Sequence, residues 1–328
     1  TYLNAIPLNI LSKTERRVLE GDGAEAIYGI MLDDFKKGEY SRVIRVWDVY
    51  KEKYVRKVAT DAYLNFIVGK SYIRTGLYNG FDEVYKSFQQ LEKSPQRTFP
   101  IWVKRDGLTA SNIMLNELML IKNIKLKNWE LAYKSIKVIS TIYPAYRKTH
   151  YYRGIVNYKT KKYQGAERDL ENYISYQKVK RIYDPSEIAE MLLAYTDSIY
   201  QVGNTKKYKK AAKAILNDTK GFGSKNIFIQ EVKERISYLL IEILAAENSI
   251  SSRVEIISEI KKLFKKYTKT TYAGRLRYLL GLGFVDGNNE KEGVKVCNEI
   301  LKDKDVSDYI KEMVKSELSL INIKNKTI

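Results

Sequence analysis

Cysteine occurs once and histidine once in the 328 residues of this chain. A lone Cys297 can form no disulfide within the chain. A lone His150 rules out a histidine-based metal cluster, and any Ser-His-Asp arrangement would have to use it. Proline is scarce as well. Pro7, Pro95, Pro100, Pro144 and Pro185 are the five, and each falls where a helical pattern stops or starts. No apolar run reaches the ~18 residues that a membrane-spanning helix needs.

Signatures of chemistry are thin too. Gly221-Phe-Gly223 and Gly281-Leu-Gly283 lack the spacing of a phosphate-cradling loop. Asp286-Gly-Asn-Asn-Glu290 begins like a calcium loop, without the distal glutamate in register. It reads as a helix–helix turn, and Gly221–Gly223 as another. Asp33/Asp34 and Asp169/Glu171 stand without a partner constellation that would raise one carboxyl as an acid. Cys297 lies on an apolar stripe with Val294 and Ile300, which reads as a buried thiol. His150, at the start of a helix, reads as a surface or packing residue. No catalytic residue, cofactor or metal is expected.

Charge and tyrosine are what the chain has in quantity. Lysine and arginine number 58 against 39 acidic residues, a net charge of +19. Such an excess suits an acidic partner, and it equally suits a lysine-rich composition spread over solvated helix faces. The densest clusters are Lys178–Arg181, Lys206–Lys210 with Lys213, and Lys261–Lys266. Lys206–Lys210 reads as an interhelical turn. Lys261, Lys262, Lys265 and Lys266 read as one solvated helix side, opposite Ile260, Leu263 and Phe264. Tyrosines number 27 against nine phenylalanines. Tyrosine offers broad contact area and one polar tip, which favours it at interfaces.

Spacing organises the rest. Trp129 and Ala132 recur as Tyr163 and Ala166, and both intervals are 34 residues. That is the period of a helix–turn–helix repeat. Gly69, Tyr72, Gly76 and Tyr78 mark another unit. There Gly69 admits a close helix crossing, and Gly76 ends the first helix. Gly38, Tyr40 and Trp47 mark a third, with Val43 in place of alanine. Tyr208 with Ala211, Ser251 with Val254, and Gly281 with Gly293 mark weaker ones.

On these residues the chain resembles the tetratricopeptide repeat family, as a divergent bacterial member. That family places a small residue within the first helix, an aromatic before the second and a small residue inside it. The resemblance covers most of residues 24–301. It implies an all-α, right-handed solenoid of about seven helical pairs. The expected organisation is a lead-in over 1–23, the superhelix over 24–305 and a capping helix with tail over 306–328. Tyr309, Ile310, Met313, Val314, Leu318 and Leu320 supply the cap's apolar side. From Tyr78 to Trp129 the interval is 51 residues, and from Tyr163 to Tyr208 it is 45. The first locates a longer connection near residues 92–110, the second longer helices near 184–204.

The resemblance also implies a function, binding through the inner face of the first helices. Tyr63, Tyr151, Tyr158 and Tyr200 fall there, with Lys70, Arg74, Lys148 and Lys159 beside them. Trp102, Lys104 and Arg105 are the loop candidates for contact. The family's carboxylate clamp is not reproduced. The expectation is a non-catalytic scaffold or adaptor of a bacterial assembly, such as a flagellar motor or secretion system, with protein partners that include acidic surfaces. The alternative is a helical-repeat protein that binds nucleic acid or a regulatory peptide. The first residue is Thr1, so a removed signal and a periplasmic location stand beside a cytoplasmic one and beside a fragment of a longer protein.

Overall fold

In the computed structural model, the residues described are 24–51, 62–92, 111–176, 185–218, 226–247, 249–267, 270–286 and 289–326. They hold fifteen helices and no strand. The lead-in over 1–23, the long connection with Trp102, Lys104 and Arg105, the Lys178–Arg181 cluster and the Gly221–Gly223 turn lie outside the described residues.

The helices are α1 (Ala24–Lys37), α2 (Tyr40–Tyr50), α3 (Ala62–Thr75), α4 (Tyr78–Glu92), α5 (Ser111–Lys125), α6 (Trp129–Ile142), α7 (Lys148–Lys159) and α8 (Tyr163–Tyr176). There follow α9 (Pro185–Gln201), α10 (Thr205–Asn217), α11 (Ile227–Glu247), α12 (Ile250–Lys266), α13 (Ala273–Asp286), α14 (Glu290–Lys302) and α15 (Asp308–Lys326). They form seven helix pairs and a final helix, the all-α solenoid class that the spacing predicts. The chain divides into two compact units, Thr1–Ser198 and Ile199–Ile328, and the division falls within α9.

One turn geometry recurs five times. Gly38, Gly76, Lys127, Lys161 and Gly203 have φ values of 84°, 78°, 60°, 61° and 79°. In each case the second helix of the pair begins two residues later. The next residue's N–H reaches back five positions, as from Leu77 to the Tyr72 carbonyl and from Lys162 to the Asn157 carbonyl. This left-handed cap satisfies carbonyls that a helix end leaves open. Glycine adopts it freely, whereas lysine carries a Cβ penalty there.

The turns fix the register better than the aromatics do. Counting from each, the buried small or apolar position is Val43, Phe81, Ala132, Ala166 and Tyr208, all fully buried. Tyr208 therefore stands where Ala132 and Ala166 stand, not where Tyr163 stands. The matching interval is from Tyr163 to Thr205, 42 residues rather than 45. Tyr208 is drawn inside because its hydroxyl donates to the Ile236 carbonyl at 3.3 Å. Ala212 is buried there, and Ala211 only partly. Lys206–Lys210 consequently lies on α10 and not in a turn. In α12 the buried small residue is Ser252, while Val254 is 66% exposed. Ser249 caps α12, accepting from the Ser252 N–H in a capping box that sets this register.

Close crossings sit at the glycines. A Cβ on Gly154 would come within 2.6 Å of Leu170 Cγ on the partner helix α8. A Cβ on Gly293 would come within 2.8 Å of the Gly281 carbonyl oxygen. Gly69 differs, because its tight neighbour is Leu118 of α5, in the next pair. The final helix α15 packs on both α13 and α14 and covers the end of the stack. Val314 and Ile321 are buried there, and Ile310 meets Gly274, whereas Tyr309 and Leu320 are exposed. Ile310, Met313 and Leu318 are partly buried beside Val314, so the packed side keeps four of the six expected residues, with Ile321 packed in place of Leu320 and Tyr309 turned outward.

Candidate functional site

Charged side chains collect inside the first unit. Lys70 and Arg74 come from α3, Glu117 from α5, Tyr146 from the lead into α7, Lys148, Tyr151, Tyr152, Tyr158 and Lys159 from α7, and Glu187, Glu190 and Asp197 from α9. Helical spacing aligns them. Lys70 and Arg74 are four apart, Glu187 and Glu190 three apart, so each set shares one helix side.

The pairing is direct. Lys70 Nζ lies 2.7 Å from Glu187 Oε1 and over the Phe35 and Phe66 rings, at 5.4 and 5.3 Å from their centroids. Lys148 Nζ bridges Glu117 Oε1 at 2.6 Å and Glu187 Oε2 at 3.0 Å. The Tyr146 hydroxyl donates to Glu117 Oε2 at 2.5 Å, and Tyr152 donates to Glu117 Oε1. Arg74 lies 3.8 Å from Glu187 and 4.0 Å from Glu190. Lys159 lies 3.5 Å from Glu190. Tyr151 and Tyr158, seven residues apart, donate to Glu190 at 3.4 Å and Asp197 at 2.9 Å, also seven apart.

Electrostatics follow from burial and these partners. Burial alone would raise the Glu117 carboxyl. The Lys148 and Lys70 ammonium groups, with hydrogen bonds from Lys148 and Tyr146, hold it below its ordinary value. Burial opposes charge on Lys148, yet Glu117 and Glu187 push its ammonium well above the usual value. The hydroxyls of Tyr146, Tyr151 and Tyr152 are pushed up strongly, first by burial and then by neighbouring carboxylates. Glu117 is thus held toward its carboxylate form and Lys148 toward its ammonium form.

The structure therefore brings together most of the residues that the sequence singles out, but largely in the interior. Tyr63, Lys70 and Tyr151 are 6%, 3% and 2% exposed. Lys148 is partly exposed, Tyr158 half-buried and Lys159 open to solvent. Tyr200, in the second unit, is 42% exposed, and its ring sits 6.1 Å from that of Tyr208. Sequence reasoning missed Glu117, Glu187, Glu190 and Asp197. The i,i+7 match between Tyr151/Tyr158 and Glu190/Asp197 is a signal that a helix-face reading would catch.

Elsewhere in this unit His150 lies 3.6 Å from Asp169, which Arg153 grips through two nitrogens at 2.9 and 2.6 Å. Cys297, in the second unit, is buried, and burial raises its thiol. Among the described residues no group of three His, Cys, Asp or Glu could hold a metal ion. None of the described helices is long and apolar enough to cross a membrane.

No protein-family profile matches the chain. No curated protein matches it either. Solved structures do. A tetratricopeptide repeat protein from Parabacteroides merdae aligns over 89% of this chain and 97% of its own, with 13% identity and a TM-score of 0.39. The structure of Naa15/Naa10 bound to HypK-THB aligns over 93% of this chain and 44% of that one, with 16% identity and a TM-score of 0.37. The assignment to helical-repeat solenoids rests on the seven helix pairs and their five matching turns.

Proposed function

We propose that the chain is a non-catalytic protein–protein interaction scaffold. The observation that carries this reading is the stack of helix pairs, in whose first unit the described inner charges, such as Lys70 with Glu187 and Lys148 with Glu117, are paired with one another. A rigid repeat stack presents surface in place of a catalytic centre. In the first unit the accessible part of the inner cluster is its edge, Tyr158 and Lys159, with Lys148 partly open. An acidic partner surface is the complement of Lys159, the solvent-open member of that edge, in competition with Glu190 at 3.5 Å. In the second unit Tyr200 is the accessible member of the set; Trp102, Lys104 and Arg105, outside the described residues, remain candidates for contact. A bacterial assembly, of the kind found in cell-envelope machines, is the setting we propose. Its support is the lysine- and tyrosine-rich composition alone.

The test is capture of partners by the intact chain and by the variant Tyr158→Ala/Lys159→Ala. Tyr151 is unsuitable as a probe because it is buried and its loss would disturb packing. The scaffold reading expects the variant to lose partners that the parent retains at moderate salt. Recovery of the same partners by both would show that this edge is not the contact.

Nucleic-acid binding is the second reading, favoured by the charge of +19. It predicts affinity that falls steeply with salt. The lysine–tyrosine cluster on α10 supports it poorly. Tyr208 is buried and cannot stack on a base, while Lys209 and Lys213 are paired with Glu247 and Glu255, each at 2.6 Å.

A further inference from the structure

Three turns of the first unit lie side by side at one end of its helices. Lys122, in the last turn of α5, pairs with Asp82 of α4 at 2.7 Å and lies over the Phe81 and Tyr78 rings. The α3–α4 turn is thereby set beside the α5–α6 turn. Tyr133, near the start of α6, donates to Asn157 of α7 at 2.6 Å, and Lys162 lies over its ring at 5.5 Å from the centroid. These contacts set the α5–α6 turn beside the α7–α8 turn.

The row presents three kinds of side chain. Leu77 and Leu126 stand in the turns, 54% and 43% exposed. Tyr78, Trp129 and Tyr163 each open the second helix of their pair and are half-buried. Lys127, Lys161 and Lys162 are exposed, and none pairs with a carboxylate among the described residues. Asp82 and Glu130, near the starts of α4 and α6, are already matched by Lys122 and Lys134 at 2.7 and 3.1 Å. Glu83, beside Asp82, is exposed and has no such match among the described residues.

The backbone supplies an independent observation. Lys127 and Lys161 hold the left-handed position, with φ of 60° and 61°, that Gly76 holds in the first of the three turns. Glycine adopts that conformation without the Cβ penalty that lysine carries. Nothing that either lysine touches among the described residues offsets the penalty. A strained side chain kept at two successive turns, 34 residues apart, points to a use outside the unit.

We propose that this row of turns rests on an anionic lipid surface. Lys127, Lys161 and Lys162 meet the headgroup phosphates, and Leu77 and Leu126 enter the boundary with the acyl chains. Lysine, leucine and half-buried tyrosine or tryptophan together are what the water–lipid boundary favours. Carboxylates of a partner protein would match the lysines but would leave both leucines in water. Nucleic acid fits less well, because the ring beside the lysines, Tyr133, is already held by Asn157 and Lys162. The proposal goes beyond the scaffold reading and does not rest on it.

The test is sedimentation of the intact chain with phosphatidylcholine vesicles, with and without about one-third phosphatidylglycerol, at about 0.1 M salt. The anionic vesicles should be bound at least about tenfold more tightly than the neutral ones. Lys127→Gly/Lys161→Gly should weaken that binding by about fivefold for each lysine, while raising the urea midpoint. Loss of binding with gain of stability is a result that a merely structural role for these lysines would not give. Leu77→Ala/Leu126→Ala should lower the affinity without changing its salt dependence. Lys291→Gln/Lys302→Gln removes the same charge from exposed positions of α14 and should change binding by less than about twofold. Equal binding of the two vesicle types, no binding of either, equal losses from the two lysine pairs, or full affinity in the leucine variant would overturn the proposal. Binding of a short DNA duplex that falls in Lys127→Gly/Lys161→Gly, without binding of anionic vesicles, would assign the row to nucleic acid and overturn it too.

Discussion

The two units bury charge differently. Asp34, Lys70, Glu117, Asp169, Glu187 and Asp197 are buried in the first, whereas Lys233 is the buried charged residue among those described in the second. The second keeps its strong pairs nearer the surface, as in the fork of Arg275 on Glu242 at 2.9 and 3.1 Å. Its tight glycine crossing at Gly293 has a counterpart at Gly154 in the first unit, and its half-buried Tyr238 and Tyr272 rings stack 4.1 Å apart and nearly parallel. One repeat plan thus carries two kinds of core. A buried ion pair adds little net stability over an apolar core, but losing one member is severe. The first unit therefore adds buried charge matching to the close shape packing that both units show.

The largest expected effect breaks the first kind of core. Glu117→Gln leaves Lys148 with less of its compensation and disturbs the hydrogen bonds from Tyr146 and Tyr152. It should cost about 3–5 kcal/mol in urea unfolding. Acid should shrink that cost. The folded carboxyl titrates below its ordinary 4.5, so its stabilisation is present above that value and is lost as pH falls through the lower folded one. The gap between parent and variant should accordingly begin to narrow as pH falls below the ordinary 4.5 and close only once it has passed the lower folded value. A gap that persists unchanged there would show that the charge of Glu117 is not what stabilises the unit.

The second kind of core breaks at glycine. Gly293→Ala would set a methyl group 2.5 Å from Val285 Cγ2 and 2.8 Å from the Gly281 carbonyl. Overpacking of this kind costs about 1–3 kcal/mol. It should depend little on pH or salt, in contrast to Glu117→Gln, and urea unfolding at two pH values would show it.

The smallest effect is a gain. Lys161 holds a left-handed conformation that glycine holds at Gly38, Gly76 and Gly203. Lys161→Gly should stabilise the first unit by about 0.5–1 kcal/mol, as a rise in urea midpoint without change of slope.

The turns explain what was legible in the sequence and what was not. Gly69 and Gly76 announce a close crossing and a helix end by having no side chain, so both are readable directly, while the tight crossings at Gly154 and Gly293 emerge only from the structure. Lys127 and Lys161 occupy the same turn without announcing it. Aromatic spacing alone misplaces the register of α10, because tyrosine is at home both before a helix and inside a core, and only the Gly203 turn separates the two. The inner face was legible in its cations and tyrosines, since helical spacing places them. Their partners were not. Lys70 and Glu187 are 117 residues apart, and no local pattern connects them. A lysine and tyrosine face reads as an open groove until the carboxylates that fill it are located.

The central claim is that this face is matched from within. A double-mutant cycle on Lys70→Met and Glu187→Leu, read by urea unfolding, tests it most directly. The account predicts a coupling of about 1–3 kcal/mol, with the double variant recovering much of what either single change loses. Additive losses, with coupling near zero, would contradict it.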